Sequence, residues 1–230
     1  MPKFFIKNNQ IINNQIIILG EDVKHISNVL RKQIGEELEI CNIDTSENYL
    51  VEIENILKTE IQTIIKQKNQ SVAESEIHIH IFQGLPKSDK MELIIQKATE
   101  LGVKEITPIE MERSIVKLDE KDKNKKVDRW QKIAEVAAKQ SGRDIIPKIN
   151  KIEKIKNIYE TFKKYDIVIV AYENEKHTTL KQVLINAKQD NKYKKIAIII
   201  SIAIILFSFL HIILMVGVAG FEPARSSSQN

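Results

Sequence analysis

Two hydrophobic periods alternate along this chain, and the change from one to the other divides it. Up to about residue 70 the runs are short and β-branched. Ile11 to Leu19, Glu37 to Ile43, Tyr49 to Ile56 and Ile61 to Lys66 are separated by turn residues, as the strands of a small β domain would be. One amphipathic helix interrupts them. Glu21 and Asp22 open it, Val23, Ile26, Val29 and Leu30 form its apolar stripe, and His25 and Arg31 lie off that stripe. The polar stretch Lys68 to Glu76 (KNQSVAESE) reads as a linker.

Past the linker, Ile77, Ile79 and Ile81 alternate with His78 and His80 until Gly84 and Pro86 break the strand. Ser88 or Asp89 can cap a helix, with Glu92 three residues beyond Asp89. Met91, Ile94, Ile95, Ala98 and Leu101 then recur on one helical face up to Gly102. Val103 to Ile109 is extended again. Strand, helix and strand in that order predict a βαβ unit and a parallel sheet, whose ligands bind beyond the carboxyl ends of the strands. The turn from Gly84 to Lys90 lies at such an end and carries Lys87 and Lys90. The charged run Asp119 to Lys126 reads as a solvated loop. Val127 to Ser141 reads as a helix packed through Val127, Trp130, Ala134 and Ala137 and stopped by Gly142. Tyr165 to Tyr172 is apolar without alternation, the pattern of a fully buried parallel strand. Leu180 to Ala187 predicts a short helix and Lys195 to Ile200 a further buried strand. The fold class is α/β with a small β domain in front.

Composition narrows the chemistry. A chain of 230 residues accommodates two small domains, and a net charge of +4, from 35 basic and 31 acidic residues, is too mild to name a nucleic-acid partner by itself. Cys41 is the single cysteine, which excludes internal disulfides and cysteine-rich metal sites and points to a reducing, cytoplasmic setting. Met1 to Gln10 lacks the apolar core of a secretory signal. No serine elbow, Walker loop or dinucleotide fingerprint occurs. His78 and His80 share one side of a strand, but without a third ligand nearby they read as a solvent-facing pair, and no metal is expected. Arg31 either complements a helix dipole or contacts a phosphate. Arg113 and Ser114 directly follow a predicted strand. Basic groups at strand ends point to a protein that acts on nucleic acid, and no further.

The order of the blocks says more. His25 with Val29-Leu30-Arg31, Lys90-Met91-Glu92, Gln96 to Val103, Ile106-Thr107-Pro108 and Glu112-Arg113-Ser114 come in sequence. Trp130 to Ala134, Ala137 to Arg143, Pro147 and Ala171-Tyr172-Glu173 come after them. This set resembles the RsmE family of small-subunit ribosomal RNA uridine-N3 methyltransferases over residues 1–200, most specifically from Lys87 to Pro147. The resemblance implies a PUA-like RNA-binding β-barrel over residues 1–70 and a SPOUT-type α/β methyltransferase domain of the trefoil-knot class over residues 71–200. It also implies S-adenosyl-L-methionine as methyl donor, 16S rRNA or the small ribosomal subunit as substrate, and a homodimer. By position in the family pattern, His25, Arg31, Lys87, Lys90, Arg113 and Arg143 become RNA-binding candidates. Ala171, Tyr172 and Glu173 match the strand end that lines the cofactor pocket. Glu100 reads as a structural helix residue, and no residue is assigned to take the N3 proton.

The chain departs from the family twice. Where the family opens with an arginine, this chain has Lys3, which keeps the charge and loses the bidentate fork. After Ile200 the family continues into a Gly-Pro-Glu-Gly-Gly cofactor loop, whereas this chain reads Ser201-Ile202-Ala203-Ile204-Ile205. Ile196 to Phe221 contains no charged side chain and exceeds the ~20 helical residues that span a bilayer. The expectation is a methyltransferase domain truncated before its knot, with residues 201–230 a non-family tail. That tail is foreign coding sequence, a membrane anchor behind Lys192, Lys194 and Lys195, or a rerouted core helix. In each case the cofactor loops are missing, so the chain is expected to lack activity while its barrel still binds RNA.

Overall fold

The computed structural model describes residues 3–69, 74–86, 90–111, 119–171 and 193–200. They fall into two compact units, one of Met1–Ala73 with Gly142–Ile145, the other of Glu74–Ser141 with Ile146–Asn230.

In the first unit, β1 (Lys3–Ile6), β2 (Ile11–Ile12), β3 (Gln15–Leu19), β4 (Glu37–Asn42), β5 (Asn48–Ile56) and β6 (Glu60–Asn69) form one sheet in the order β1-β4-β5-β6-β3-β2. Its pairs are antiparallel except β1 on β4. Alternation sends Phe4, Ile6, Ile16, Ile18, Leu38, Ile40, Val51 and Ile53 into one core with Val23 and Ile26 of the helix. Two expectations change. The linker does not begin at Lys68, because β6 runs on through Asn69, with Lys68 opposite Tyr49 and ion-paired to Glu47 at 2.7 Å. The helical stripe also shifts. α1 (Glu21–Lys24) passes into a π-helical turn over His25–Val29, where the Leu30 N–H donates to the His25 carbonyl at 2.9 Å. The widened turn rotates the residues beyond it, so Val29 is 70% exposed while Val23 and Ile26 stay buried.

The second unit is built on β7 (His78–Gly84), β8 (Glu105–Glu110), β9 (Lys148–Ile149), β10 (Glu153–Lys154), β11 (Ile167–Ala171) and β12 (Lys195–Ile200). The order is β10-β8-β7-β12-β11, with β9 also on β8, and every pair is parallel. On one face, Ile79 and Ile81 pack in a cluster with Met91, Ile94, Ile95 and Ala98 of α2 (Lys90–Glu100) and Trp130 and Ala134 of α3 (Glu120–Gln140). Gly102 ends α2 at φ 94°, with its N–H on Thr99 O and the Val103 N–H on Ala98 O, both at 3.1 Å. This is a Schellman closure, for which the left-handed residue is needed.

α3 begins a full two turns before Val127. The Asp119 carboxylate accepts from the Asp122 N–H at 2.7 Å, and Lys123 reaches Glu120 at 3.1 Å and Glu110 at 3.0 Å. The charged run is therefore helix rather than loop, since its alternating signs meet at i,i+3 spacing. β11 lies at the sheet edge, and Val168 and Val170 are 36% and 63% exposed, so the strand is not buried on both sides. The cap at Ser88 or Asp89, the Leu180–Ala187 helix and the tail of residues 201–230 lie outside the described residues. Among those described, no helix is long and apolar enough to cross a membrane.

Candidate functional site

The registers bring one set of strand ends together. Ala171 lies opposite Ile200, Ile200 opposite Gln83, Gly84 opposite Ile109, and Glu110 opposite Lys154, so these residues mark the carboxyl side of the sheet. Ala171 is half-buried there, and Lys90 is exposed as the first residue of α2. Tyr172, Glu173, Lys87 and Arg113 lie outside the described residues. Gln83, on the same side of β7 as Ile79 and Ile81, is 1% exposed. Its Nε2 donates to Gly84 O at 3.0 Å, while its Oε1 has no partner among the described residues. Leaving a buried amide oxygen unpaired costs about 1–3 kcal/mol. The orphan sits where parallel sheets bind ligands, and a ligand hydroxyl or amine would satisfy it. Sequence reasoning passed over Gln83; the visible signal was a polar residue at the end of an apolar strand.

A second polar group occupies the other face of the sheet, toward the amino ends. His80 is 3% exposed, so it is not part of a solvent-facing pair: the segment leading to Tyr165 covers it. Its Nε2 lies 2.7 Å from Thr107 Oγ1, its Nδ1 pairs with the Tyr165 hydroxyl, and its ring stacks on Phe82 with centroids 4.1 Å apart. Glu105 Oε2 is 3.3 Å from His78 Nε2 and 3.4 Å from His80 Nδ1. Asn150 Nδ2 donates to Glu105 Oε1 and to Thr107 Oγ1, both at 2.8 Å. Burial pushes the His80 imidazole down to about 4 in spite of the Glu105 charge, so it is neutral at pH 7. Burial, helped by Glu105, pushes the Tyr165 hydroxyl up to about 12. A protonated Tyr165 therefore donates to Nδ1, which leaves the imidazole proton on Nε2, facing Thr107. Burial alone would raise the Glu105 carboxyl, but the Asn150 hydrogen bond and the two histidines hold it below the usual range. This network clamps β7, β8, the residue after β9 and Tyr165 to one another. No cluster of three or more metal-ligating side chains occurs among the described residues.

The first unit holds the remaining candidates. His25 is exposed, with its ring edge-on to Phe4 at 5.9 Å. Arg31 is exposed at φ 52°, where the chain turns out of the helix. Arg143 is 0% exposed and belongs to Gly142–Ile145, the segment that leaves α3 and joins the first unit. Beside it, Asp144 forms an ion pair with Lys3, whose Nζ also lies 3.3 Å from Gly142 O, and Cys41 Sγ donates to Asp144 O at 3.2 Å. A guanidinium without exposed surface cannot meet an RNA phosphate in this arrangement.

A wholly parallel α/β unit thus follows, in sequence, a β unit that carries the exposed Arg31. A family model described as an RNA methyltransferase domain matches residues 73–200, and one described as an RNA methyltransferase PUA domain matches residues 18–66. The chain thus joins a PUA domain to an RNA methyltransferase domain. Ribosomal RNA small subunit methyltransferase E of Bacillus subtilis (strain 168) is 38% identical over 156 residues, which make up 68% of this chain and 60% of that protein. The protein of the same name from Mesomycoplasma hyopneumoniae (strain 232) is 33% identical over 178 residues, 77% of this chain and 74% of that one. The crystal structure of a ribosomal RNA small subunit methyltransferase E from Neisseria gonorrhoeae, bound to S-adenosyl methionine, shares the fold with a TM-score of 0.66 at 21% identity, covering 100% of this chain and 90% of that one. The chain belongs to the ribosomal RNA small subunit methyltransferase E family. It spans 60% and 58% of the length of the first two curated relatives it matches.

Proposed function

We propose that this chain carries the RNA- and cofactor-binding framework of an S-adenosylmethionine-dependent methyltransferase that modifies N3 of one uridine in 16S rRNA. The observation that carries the reading is the carboxyl side of the sheet. A buried acceptor without a partner among the described residues, Gln83 Oε1, lies in line with Ala171 there, within the stretch that the methyltransferase family matches. When bound, S-adenosylmethionine supplies an electrophilic methyl group. Ala171 with Tyr172 and Glu173 would line its site, and Gln83 would accept a hydrogen bond from one of its donors. Uracil N3 carries a proton at neutral pH, so the site must release that proton and stabilise the anion. Lys87, Lys90 and Arg113 are the cations suited to the second task. In the first unit, His25 and Arg31 would contact RNA. Arg143, having no exposed surface, is read as a structural guanidinium instead. A homodimer in the cytoplasm is the setting that the family implies.

A second reading concerns this chain's own turnover. The family match stops at Ile200, the last residue of β12, and no Gly-Pro-Glu-Gly-Gly loop comes after it. We infer that the chain binds RNA but holds the methyl donor too weakly to react. Calorimetric titration of S-adenosylmethionine into the purified chain, with the Bacillus subtilis relative as control, tests this. The expected result is no heat beside a responding control. Binding at micromolar affinity would overturn the inferred loss and leave an active enzyme. If the chain also fails to bind 16S rRNA at low salt, the rRNA reading falls with it.

A further inference from the structure

We propose that the second unit carries an RNA-docking surface of its own, formed at the β10 edge by Lys151, Lys154, Lys156 and Tyr159. It would hold single-stranded rRNA that flanks the target nucleotide. The inference rests on the reading of this chain as an rRNA-acting protein.

Charge is divided unevenly. The first unit holds nine basic and eleven acidic residues, the second 26 basic and 20 acidic. The attraction for polyphosphate therefore resides in the second unit, although the first carries the PUA-like fold. Within it, residues 148–164 hold six lysines against Glu153 and Glu160. All six are exposed, and Lys151, Lys154 and Lys156 have no ion-pair partner among the described residues. Lys123, across the cleft they line, is by contrast paired with Glu110 and Glu120.

The three lysines do not stand on a flat wall. With Asn124 and Asn157 they line a cleft of about 330 Å³ between the first turns of α3 and the chain beyond β9. Glu120 and Glu153 also reach the cleft; Glu120 is engaged by Lys123 and Glu153 by Asn157 at 3.4 Å. Just beyond, Tyr159 is 61% exposed yet braced edge-on by Phe162, at 6.3 Å between centroids, and Phe162 is itself edge-on to buried Phe82 at 5.2 Å. A tyrosine held from below and open above, three residues along the chain from Lys156, supplies the stacking platform that goes with a cationic track in single-stranded nucleic acid binding.

The placement suits the reaction. β10 pairs with Ile109 and Glu110, at the carboxyl end of β8, so Lys154 stands at the same end of the strands as Ala171. Four strand spacings separate the edges, ~19 Å in all, a span that a few nucleotides cover. Lysines on an edge strand also discourage sheet-to-sheet pairing. That role does not account for Lys156 and Tyr159, which lie past the strand.

The test uses the whole chain and a labelled single-stranded RNA of about 16 nucleotides, read by fluorescence anisotropy over a salt series. Replacing Lys151, Lys154 and Lys156 together by Gln should flatten the slope of log Kd against log salt by about 2. Tyr159→Ala should weaken binding about tenfold at unchanged slope, and Tyr159→Phe should not. Circular dichroism checks each fold, and should the triple variant fail to fold, the tyrosine pair still decides. Wild-type affinity and slope in both the triple variant and Tyr159→Ala would overturn this surface while leaving the rRNA reading intact. A triple variant that self-associates with unchanged RNA affinity would reduce the lysines to edge guards and overturn it too. Absence of RNA binding by the unmodified chain would remove both. Polyglutamate competing as well as RNA, with Tyr159→Ala neutral, would assign the patch to an acidic protein and overturn it.

Discussion

Burying an imidazole between two strands commits His80 to its neutral form, and stability then depends on pH with a definite sign. Its folded value is about 4 against an ordinary 6.5, so between those values the unfolded chain binds more protons. The contribution is complete above pH 6.5 and is lost as pH falls through 4. It is on the order of 3 kcal/mol. Urea midpoints measured from pH 7 to pH 4 should fall accordingly, and His80→Gln should flatten that fall while lowering stability at pH 7. Gln83 presents the opposite case, a buried polar atom left unpaired among the described residues. Gln83→Met keeps the volume and removes the orphan, so the melting transition should rise, by about 1 kcal/mol of stability. A fall in stability would show that the amide has a partner in solution. Residues that lower stability in favour of function are expected where a ligand completes the site.

At the scale of elements, the helices differ in how plainly they were written. α2 is amphipathic from Met91 to Ala98 and closes at Gly102, so its periodicity, its stop and the strand after it were all legible. The first two turns of α3 were not, because they carry no apolar stripe. They form because Asp119 caps them and charges of opposite sign stand three residues apart. Asp119→Ala should therefore cost about 1 kcal/mol and fray residues 120–126, seen as faster amide hydrogen exchange there than in the Trp130 region. Exchange unchanged over that stretch would mean that packing rather than the cap holds it. The π-helical turn after α1 defeats periodicity in another way: the extra residue takes Val29 out of the stripe that 3.6-residue spacing assigns it.

At the scale of the whole molecule, the first unit is completed from far along the chain. Lys3 and Asp144 are 141 residues apart and form a buried ion pair, at 11% and 1% side-chain exposure. Removing one partner of such a pair strands the other charge, at about 3 kcal/mol. Lys3→Met should lower the unfolding free energy read from urea denaturation by about 3 kcal/mol, whereas Lys3→Arg, the residue the family resemblance leads one to expect there, should be tolerated. Equal losses in both would point to packing rather than charge.

By itself the sequence determined the βαβ order, the parallel sheet and, through its ordered motifs, the family. Each of these is written in local terms: the side of an element that is apolar, the residue that stops it, the order in which the blocks come. Only the tertiary structure decided that His80 is buried on the side taken for solvent, that Gln83 is left unpaired at a strand end, and that Arg143 is enclosed. It also decided that the lysines past β9 stand together over a cleft. The physical reason is that periodicity records which side of an element faces inward but not what covers the other. Coverage depends on registers and crossings between segments distant in sequence, where burial and charge pairing are settled together.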